Sequence, residues 1–404
     1  MNSPDLASRI QDKAAQFQAD TIALRRHLHA HPELSFEEYE TAAYIARQLE
    51  SLGIPFRTIA NTGLLAQIEG TKGPGPVYAL RADIDALPIL EANEVAYRST
   101  KPGIMHACGH DVHTSSLLGT ARILQAIRPH FSGTIKFLFQ PGEEKAPGGA
   151  SYMIRDGALK NPAPAGILGQ HVHPPLAAGK VGMRPGIYMA STDELYLSIK
   201  GRGGHGAIPQ NTVDPIAISA QVITALQQLV SRQADPTLPT VITFGHIASQ
   251  GGATNIIPNE VRLKGTLRTM NEEWRKELHQ RIERVANGIA QALGGSAELT
   301  ITPGYPFLKN NETLTRRVFT HAQTYLGPEN VVELPIRMTG EDFAYYSHEV
   351  PACFYRLGTG NVAKGITSPV HTDTFDIDES ALEVGSGLMA WLAIRTLDDA
   401  STLY

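Results

Sequence analysis

Apolar runs recur along the first half of this chain, and each stops at a cluster of ionisable residues. The run 76–85 (PVYALRADID) ends at Asp83 and Asp85, the run 133–144 (GTIKFLFQPGEE) at Glu143 and Glu144, and the run 165–173 (AGILGQHVH) at His171 and His173. Between the first two lies 111–127, with apolar residues at helical spacing, and its entry carries Cys108, His110, Asp111 and His113. A later run, 351–360, is followed by His371 and Asp373. Strand, helix, strand with nearly continuous apolar strands predicts an α/β layer around a largely parallel sheet. In open α/β sheets, ligands bind outside the carboxyl ends of the strands. Five separate segments can therefore converge on one crevice.

Imidazole, thiolate and carboxylate together are the donor set for zinc and related transition ions. Singly, none of these residues carries that reading. A lone histidine is usually a hydrogen-bonded or surface residue, and a lone cysteine usually packs as a small apolar side chain. Recurrence at one strand end after another is what carries it. The HExxH zinc signature is absent, so the ligands must come from distant segments. Adjacent carboxylates after a strand diverge, so one of Glu143 and Glu144 can ligate while the other faces water. A bound ion lowers the pKa of its water to about 7, and the free carboxylate can take that proton and hand it to a leaving amine.

With 404 residues, the chain suggests two or three domains. Its net charge of −5 gives no polyanion-binding surface, so nucleic acid is not an expected partner. No run of about 18 apolar residues predicts a membrane span. The first twenty residues lack the apolar core of a signal peptide. Two cysteines, Cys108 and Cys353, make no disulfide framework. The expectation is a soluble cytoplasmic protein. Ser35 and Glu38 read as a capping box opening a helix to about Ser51.

From about residue 190 the pattern changes. The segment 193–201 alternates apolar and polar residues, and a helix follows at about 214–233. Alternating strands at about 239–249 and 259–269, a helix at 271–293 and a strand at 296–304 complete the order β-α-β-β-α-β. That is the ferredoxin-like arrangement. The tail returns to the α/β style, with helices near 311–326 and 379–396. Two domains are expected: 1–188 with 305–404, discontinuous, and 189–304 inserted between them.

The segments HLHAHPELSFEE (27–38), LRADIDALPI (80–89), MHACGHDVH (105–113), FQPGEE (139–144), GQHV (169–172), GRGGHGAIP (201–209), NIIPNEVRLKGTLRT (255–269), TGEDFAYY (339–346) and HTDTFDID (371–378) together resemble the M20 metallopeptidase clan. The likeness is strongest to its amidohydrolase branch of N-acyl-amino-acid amidohydrolases, hippurate hydrolases and auxin-conjugate hydrolases. The resemblance implies an exopeptidase-like α/β catalytic domain binding two divalent ions per subunit, and a ferredoxin-like α+β lid that dimerises. Zinc, manganese, cobalt and nickel all suit the donors. By motif, Cys108, His110, Glu144, His171 and His371 fall on metal-ligand positions and Glu143 on the general base. His205 falls on a lid histidine that holds the scissile carbonyl oxygen, and Asn255 and Arg268 on lid positions associated with substrate. Asp83 stands where peptidase branches carry a ligand histidine, so Asp83 and Asp85 read as orienting a ligand imidazole. His173 reads as a rim residue, and His106 and His113 as structural or orienting.

The resemblance thus implies a hydrolase that cleaves N-acyl amino acids to a carboxylic acid and a free amino acid. The nucleophile is a metal-activated water, Glu143 its base. A dipeptidase or carboxypeptidase on the same metals is the alternative, and a homodimer or higher homo-oligomer the expected assembly. The GRGGHG run is followed by no helix, so a dinucleotide-binding reading fails.

Overall fold

The computed structural model describes residues 3–401. They fall into two compact units. One comprises the described residues up to Tyr188, Lys309–Pro335 and those from Asp342 onward; the other comprises Met189–Leu308 and Ile336–Glu341.

The first unit is built on an eight-stranded sheet. Its middle four strands, in spatial order Thr134–Gln140, Val77–Asp83, Ile167–Ala177 and Ala352–Gly360, run parallel. Every residue of Ala352–Gly360 is buried, and all of Val77–Asp83 but Val77. Burial on both faces is why these runs read as continuously apolar. Antiparallel strands Phe56–Ile59 and Gly63–Glu69 extend one side, and the short Val181–Met183 and Val331–Glu333 the other. The helix His110–Ala126 links two of the parallel strands and packs against Ser3–Ala30 and Ala381–Ser401. No helix among the described residues is long and apolar enough to cross a membrane.

The helix read from Ser35 opens later, at Tyr39, and ends at Ser51. The expected capping box does not form: Glu38 is the N-cap residue and makes no side-chain cap hydrogen bond. Ser35 Oγ instead donates to Asp85 Oδ2 at 2.6 Å, and Glu38 takes donors from outside the helix. Glu38 is fully buried, and a buried carboxylate must collect several donors. That demand outweighs a single capping bond.

The second unit is built on a four-stranded sheet in the order Thr240–Ser249, Glu260–Thr269, Asp193–Lys200, Ser296–Pro303, all neighbours antiparallel. Leu195, Leu197 and Ile199 face inward from alternating positions. They pack with Val222 and Leu226 of the helix Pro215–Gln228 and with Leu278 and Ile282 of the helix Glu272–Ala292. Both helices open at side-chain caps: Asp214 Oδ1 accepts the Ile216 N–H at 2.8 Å, and Asn271 Oδ1 the Trp274 N–H at 2.8 Å. Ile336–Glu341 joins this unit because the Ala190 N–H reaches the carbonyls of Arg337 and Thr339.

Candidate metal centre

The ionisable clusters of the first unit meet around Cys108, with His171 contributed from mid-strand, since Ile167–Ala177 runs past the expected end at His173. Its Sγ lies 3.5 Å from His171 Nε2 and 3.3 Å from His371 Nε2. His371 Nε2 is 3.2 Å from Glu144 Oε1, which is 3.8 Å from His110 Nε2. The donor atoms of Cys108, His110 and His171 lie within 4.8 Å of one another, and so do those of Cys108, Glu144 and His371. The thiol belongs to both triads, so the five residues outline two adjacent positions. All five ligands read from the sequence are brought together. No convergent donor group among the described residues includes His173.

Each imidazole is held with Nε2 toward the centre. His171 Nδ1 donates to the carbonyl of Val172 at 2.8 Å, and His110 Nδ1 to the carbonyl of Asp85 at 2.9 Å. A carbonyl can only accept, so Nδ1 carries a proton in both rings. His371 lies in the left-handed region at φ 64, and its N–H is tied to the Ala107 carbonyl at 2.7 Å. Such strain in a non-glycine residue persists where the surroundings enforce it. Gly109, at φ 82, lets the Cys108 loop approach the His171 strand: a Cβ there would meet Val172 Cγ2 at 2.6 Å.

His110 Nε2, buried at the centre, has no hydrogen-bond partner, and Glu144 Oε1 faces it at 3.8 Å. A buried orphan group is costly. A cation between the two removes that cost, so these residues fit a divalent ion. Charge agrees. Burial opposes a charge on His110, but Asp83, Asp85 and Glu144 raise its pKa to about 10. The pocket is rich in carboxylates and draws positive charge. His171 is driven the other way, first by burial and then by Arg356, well below the ordinary imidazole range. It is neutral, as a ligand must be.

Asp83 is fully buried, which opposes its charge, yet Arg81, His110 and His113 hold its carboxyl well below the usual range. Its Oδ1 accepts His113 Nδ1 at 2.5 Å, and His113 Nε2 accepts the Val172 N–H at 2.8 Å. Both nitrogens of His113 are thus occupied, which makes it an orienting residue for the strand carrying His171. Asp85 Oδ1 lies 3.1 Å from His110 Nδ1, while its Oδ2 accepts the Glu144 N–H at 2.9 Å.

Arg81 and Asp342 have no role in the sequence reading. Arg81 donates to Asp83 Oδ2 at 2.6 Å and Asp342 Oδ1 at 2.7 Å, and Gln140 Nε2 also donates to Asp342. The Asp342 N–H in turn reaches Glu143 Oε1 at 3.4 Å. Only the alternation LRADID hinted at this: a charged residue inside an apolar strand needs a partner. The carboxylates of Glu143 and Glu144 take different partners, yet each keeps an oxygen within 4.8 Å of the His110 donor atom.

The remaining predicted residues lie in the second unit. His205, on the short strand Gly204–His205, is exposed and pairs in register with Ile256. Asn255 precedes that partner strand, and its carbonyl accepts the Gly206 N–H at 2.7 Å. Arg268 lies apart from both, on Glu260–Thr269, with Nη1 3.1 Å from the Leu267 carbonyl.

A thiol–imidazole–carboxylate centre at the edge of an α/β sheet, buried except at the exposed His371, is a donor set of the kind metallohydrolases use. The chain belongs to peptidase family M20/M25/M40, which it matches over residues 79–395. It is 40% identical to the N-acetylcysteine deacetylase of Bacillus subtilis, over 96% of this chain and 99% of that one. It is 45% identical to the N-acyl-L-amino acid amidohydrolase of Geobacillus stearothermophilus, over 72% of this chain and 78% of that one. The fold is shared with a Bacillus subtilis protein described as a dinuclear metal-binding peptidase of the M20 family. Identity there is 37%, the TM-score 0.82, and coverage 95% of this chain and 99% of the other.

Proposed function

We propose that this chain is a metal-dependent amidohydrolase that cleaves the amide bond of N-acyl amino acids, giving a carboxylic acid and a free amino acid. The observation that carries the reading is the convergence of Cys108, His110, Glu144, His171 and His371, with the carboxylate of Glu143 beside them. Relatives named for N-acyl amino acid and N-acetylcysteine hydrolysis support the substrate class. Those five residues would hold two divalent ions, which supply a water of lowered pKa and a Lewis acid for the carbonyl. Glu143, its Oε1 steadied by the Asp342 N–H, takes the proton of the attacking water on its carboxylate. It then delivers that proton to the departing amine nitrogen.

The second unit is assigned as a ferredoxin-like lid and dimerisation domain, on its β-α-β-β-α-β order and antiparallel sheet. On the sequence bounds the catalytic domain is 1–188 with 305–404 and the lid 189–304, while residues 305–308 and Ile336–Glu341 group with the second unit; residues 1, 2 and 402–404 lie outside the described residues. His205 is assigned to the scissile carbonyl oxygen, and Asn255 and Arg268 to substrate. A homodimer and a cytoplasmic location complete the reading. Two free, buried cysteines suit a reducing compartment.

The test is a hydrolysis panel of acetyl, benzoyl and indoleacetyl amino acids beside dipeptides, run with zinc, manganese, cobalt and nickel. We expect kcat/KM for the best N-acyl amino acid to exceed that for any dipeptide by at least about tenfold, or about 1.4 kcal/mol of transition-state binding. Preference for dipeptides would move the assignment to a dipeptidase.

A further inference from the structure

In the segment HPELSFEE, Glu33 accepts the Thr41 N–H in the first turn of the helix Tyr39–Ser51 at 2.8 Å. Ser35 and Glu38 go instead to groups that hold the loop carrying Glu143. Glu38 Oε1 accepts the Gly142 N–H at 2.8 Å and the Phe36 N–H at 2.8 Å, while Oε2 accepts the Thr62 hydroxyl at 2.6 Å. Ser35 Oγ donates to Asp85 Oδ2, the oxygen that also accepts the Glu144 N–H. The backbone N–H groups on either side of Glu143 are therefore each held by a buried carboxylate. Both carboxylates connect to one stretch of chain, Glu33–Glu38. That stretch is itself fixed, since the Ala86 N–H donates to the Glu33 carbonyl at 2.8 Å.

Local geometry points the same way. Phe36 sits at φ 67, a conformation a bulky L residue adopts only when its surroundings enforce it. Its ring lies against Gly142, itself at φ 59, where a Cβ would overlap the ring. The strained residue and the glycine it covers are the same two residues whose N–H groups Glu38 Oε1 accepts.

We propose that Glu38 is a positioning residue for the general base: through the Gly142 N–H it fixes the backbone from which the Glu143 carboxylate projects. The segment Glu33–Glu38 is thus a strap over the base-bearing loop. This inference rests on Glu143 being the base. Alanine at 38 would leave the Gly142 and Phe36 N–H groups and the Thr62 hydroxyl without their acceptor. Glutamine keeps an oxygen for both N–H groups and turns its amide toward the Thr62 hydroxyl, which can accept.

The experiment uses the metal-loaded enzyme as Glu38→Ala, Glu38→Gln, Glu143→Ala and the Glu38→Ala/Glu143→Ala double variant. Initial rates, metal content and Tm are read for each. We expect Glu38→Ala to lower kcat by about 10²-fold, with KM and metal content unchanged. Glu38→Gln should recover most of the loss. The double variant should be no slower than Glu143→Ala alone, because a residue that acts through Glu143 then has nothing to act on. Unchanged kcat in Glu38→Ala, beside an inactive Glu143→Ala, overturns this proposal and leaves the base assignment standing. So does a double variant that loses the full Glu38→Ala factor again, or loss of metal with activity. An active Glu143→Ala overturns the base assignment and this proposal with it. Should Glu38→Ala fail to fold, Ser35→Ala removes one hydroxyl from the same strap. We expect it to lower kcat by about tenfold on the same positioning argument, and an unchanged kcat overturns the proposal.

Discussion

Cys108 sits where burial and charge both oppose its ionisation. Burial, then Glu144, Glu143 and Asp83, push its thiol well above the ordinary range. His110, raised to about 10, also carries a proton at neutral pH. Both must lose a proton on ligation, so metal binding competes with protons and weakens as pH falls. We expect the apparent association constant of metal-stripped protein to rise by between about tenfold and a hundredfold per pH unit near neutrality, for one or two protons released. Zinc titration against a competing chelator at several pH values measures this. A pH-independent affinity would rule out the thiolate. The base has its own signature: Glu143→Ala should lower kcat by at least about 10²-fold with metal content unchanged, and loss of both ions would make Glu143 a ligand. At this scale the convergence of Cys108, His110, Glu144, His171 and His371 was legible because these residue types are rare in combination. Arg81, Asp342 and Glu38 were not. Their partners lie far off in sequence, Asp342 being 261 positions from Arg81, and a strap and a capping box share one pattern.

At the scale of elements, apolar periodicity placed the helix His110–Ala126 and the four parallel strands within a few residues. It could not give the strand order, which long-range packing decides. Nor did it find the helix Ser3–Ala30. Arg25 and His29 share its buried face with Leu28, and both polar residues are held by Asp111. A face that buries paired charges does not read as apolar. The turn into His110–Ala126 gives a prediction at this scale. Gly109→Ala puts a Cβ into the Val172 side chain at a positive φ. We expect it to destabilise the first unit by about 1–3 kcal/mol and to weaken metal binding, because the same turn sets Cys108 and His110. Denaturant unfolding and metal analysis report the two effects. Unchanged values in both would mean that the loop can move away from the strand at no cost.

For the whole molecule, the change of pattern near residue 190 was legible because the sheets differ in kind. One buries both faces of its central strands, while the other alternates buried and exposed positions along Asp193–Lys200. The return of Ile336–Glu341 to the second unit was not legible, since backbone bonds to Arg337 and Thr339 carbonyls leave no side-chain signal. The division has a functional consequence that can be measured. Glu143 belongs to the first unit and His205 to the second. His205 is exposed, and its Nδ1 accepts the nearby Ala207 N–H at 3.1 Å. Removing an oxyanion donor costs about 10²–10³ in kcat, so Glu143→Ala and His205→Ala should each be nearly inactive alone. If His205 serves the partner's centre in a homodimer, a mixed dimer has one site with both residues intact. Mixing the two variants should then restore up to about half of wild-type activity per heterodimer, on a count of one competent site in two. Subunit exchange is first established by mass or by tagged pull-down of the mixed species. Recovery after exchange assigns His205 to the partner's site. No recovery after confirmed exchange confines its action to its own chain or removes it from catalysis, and the activity of His205→Ala alone separates those two outcomes.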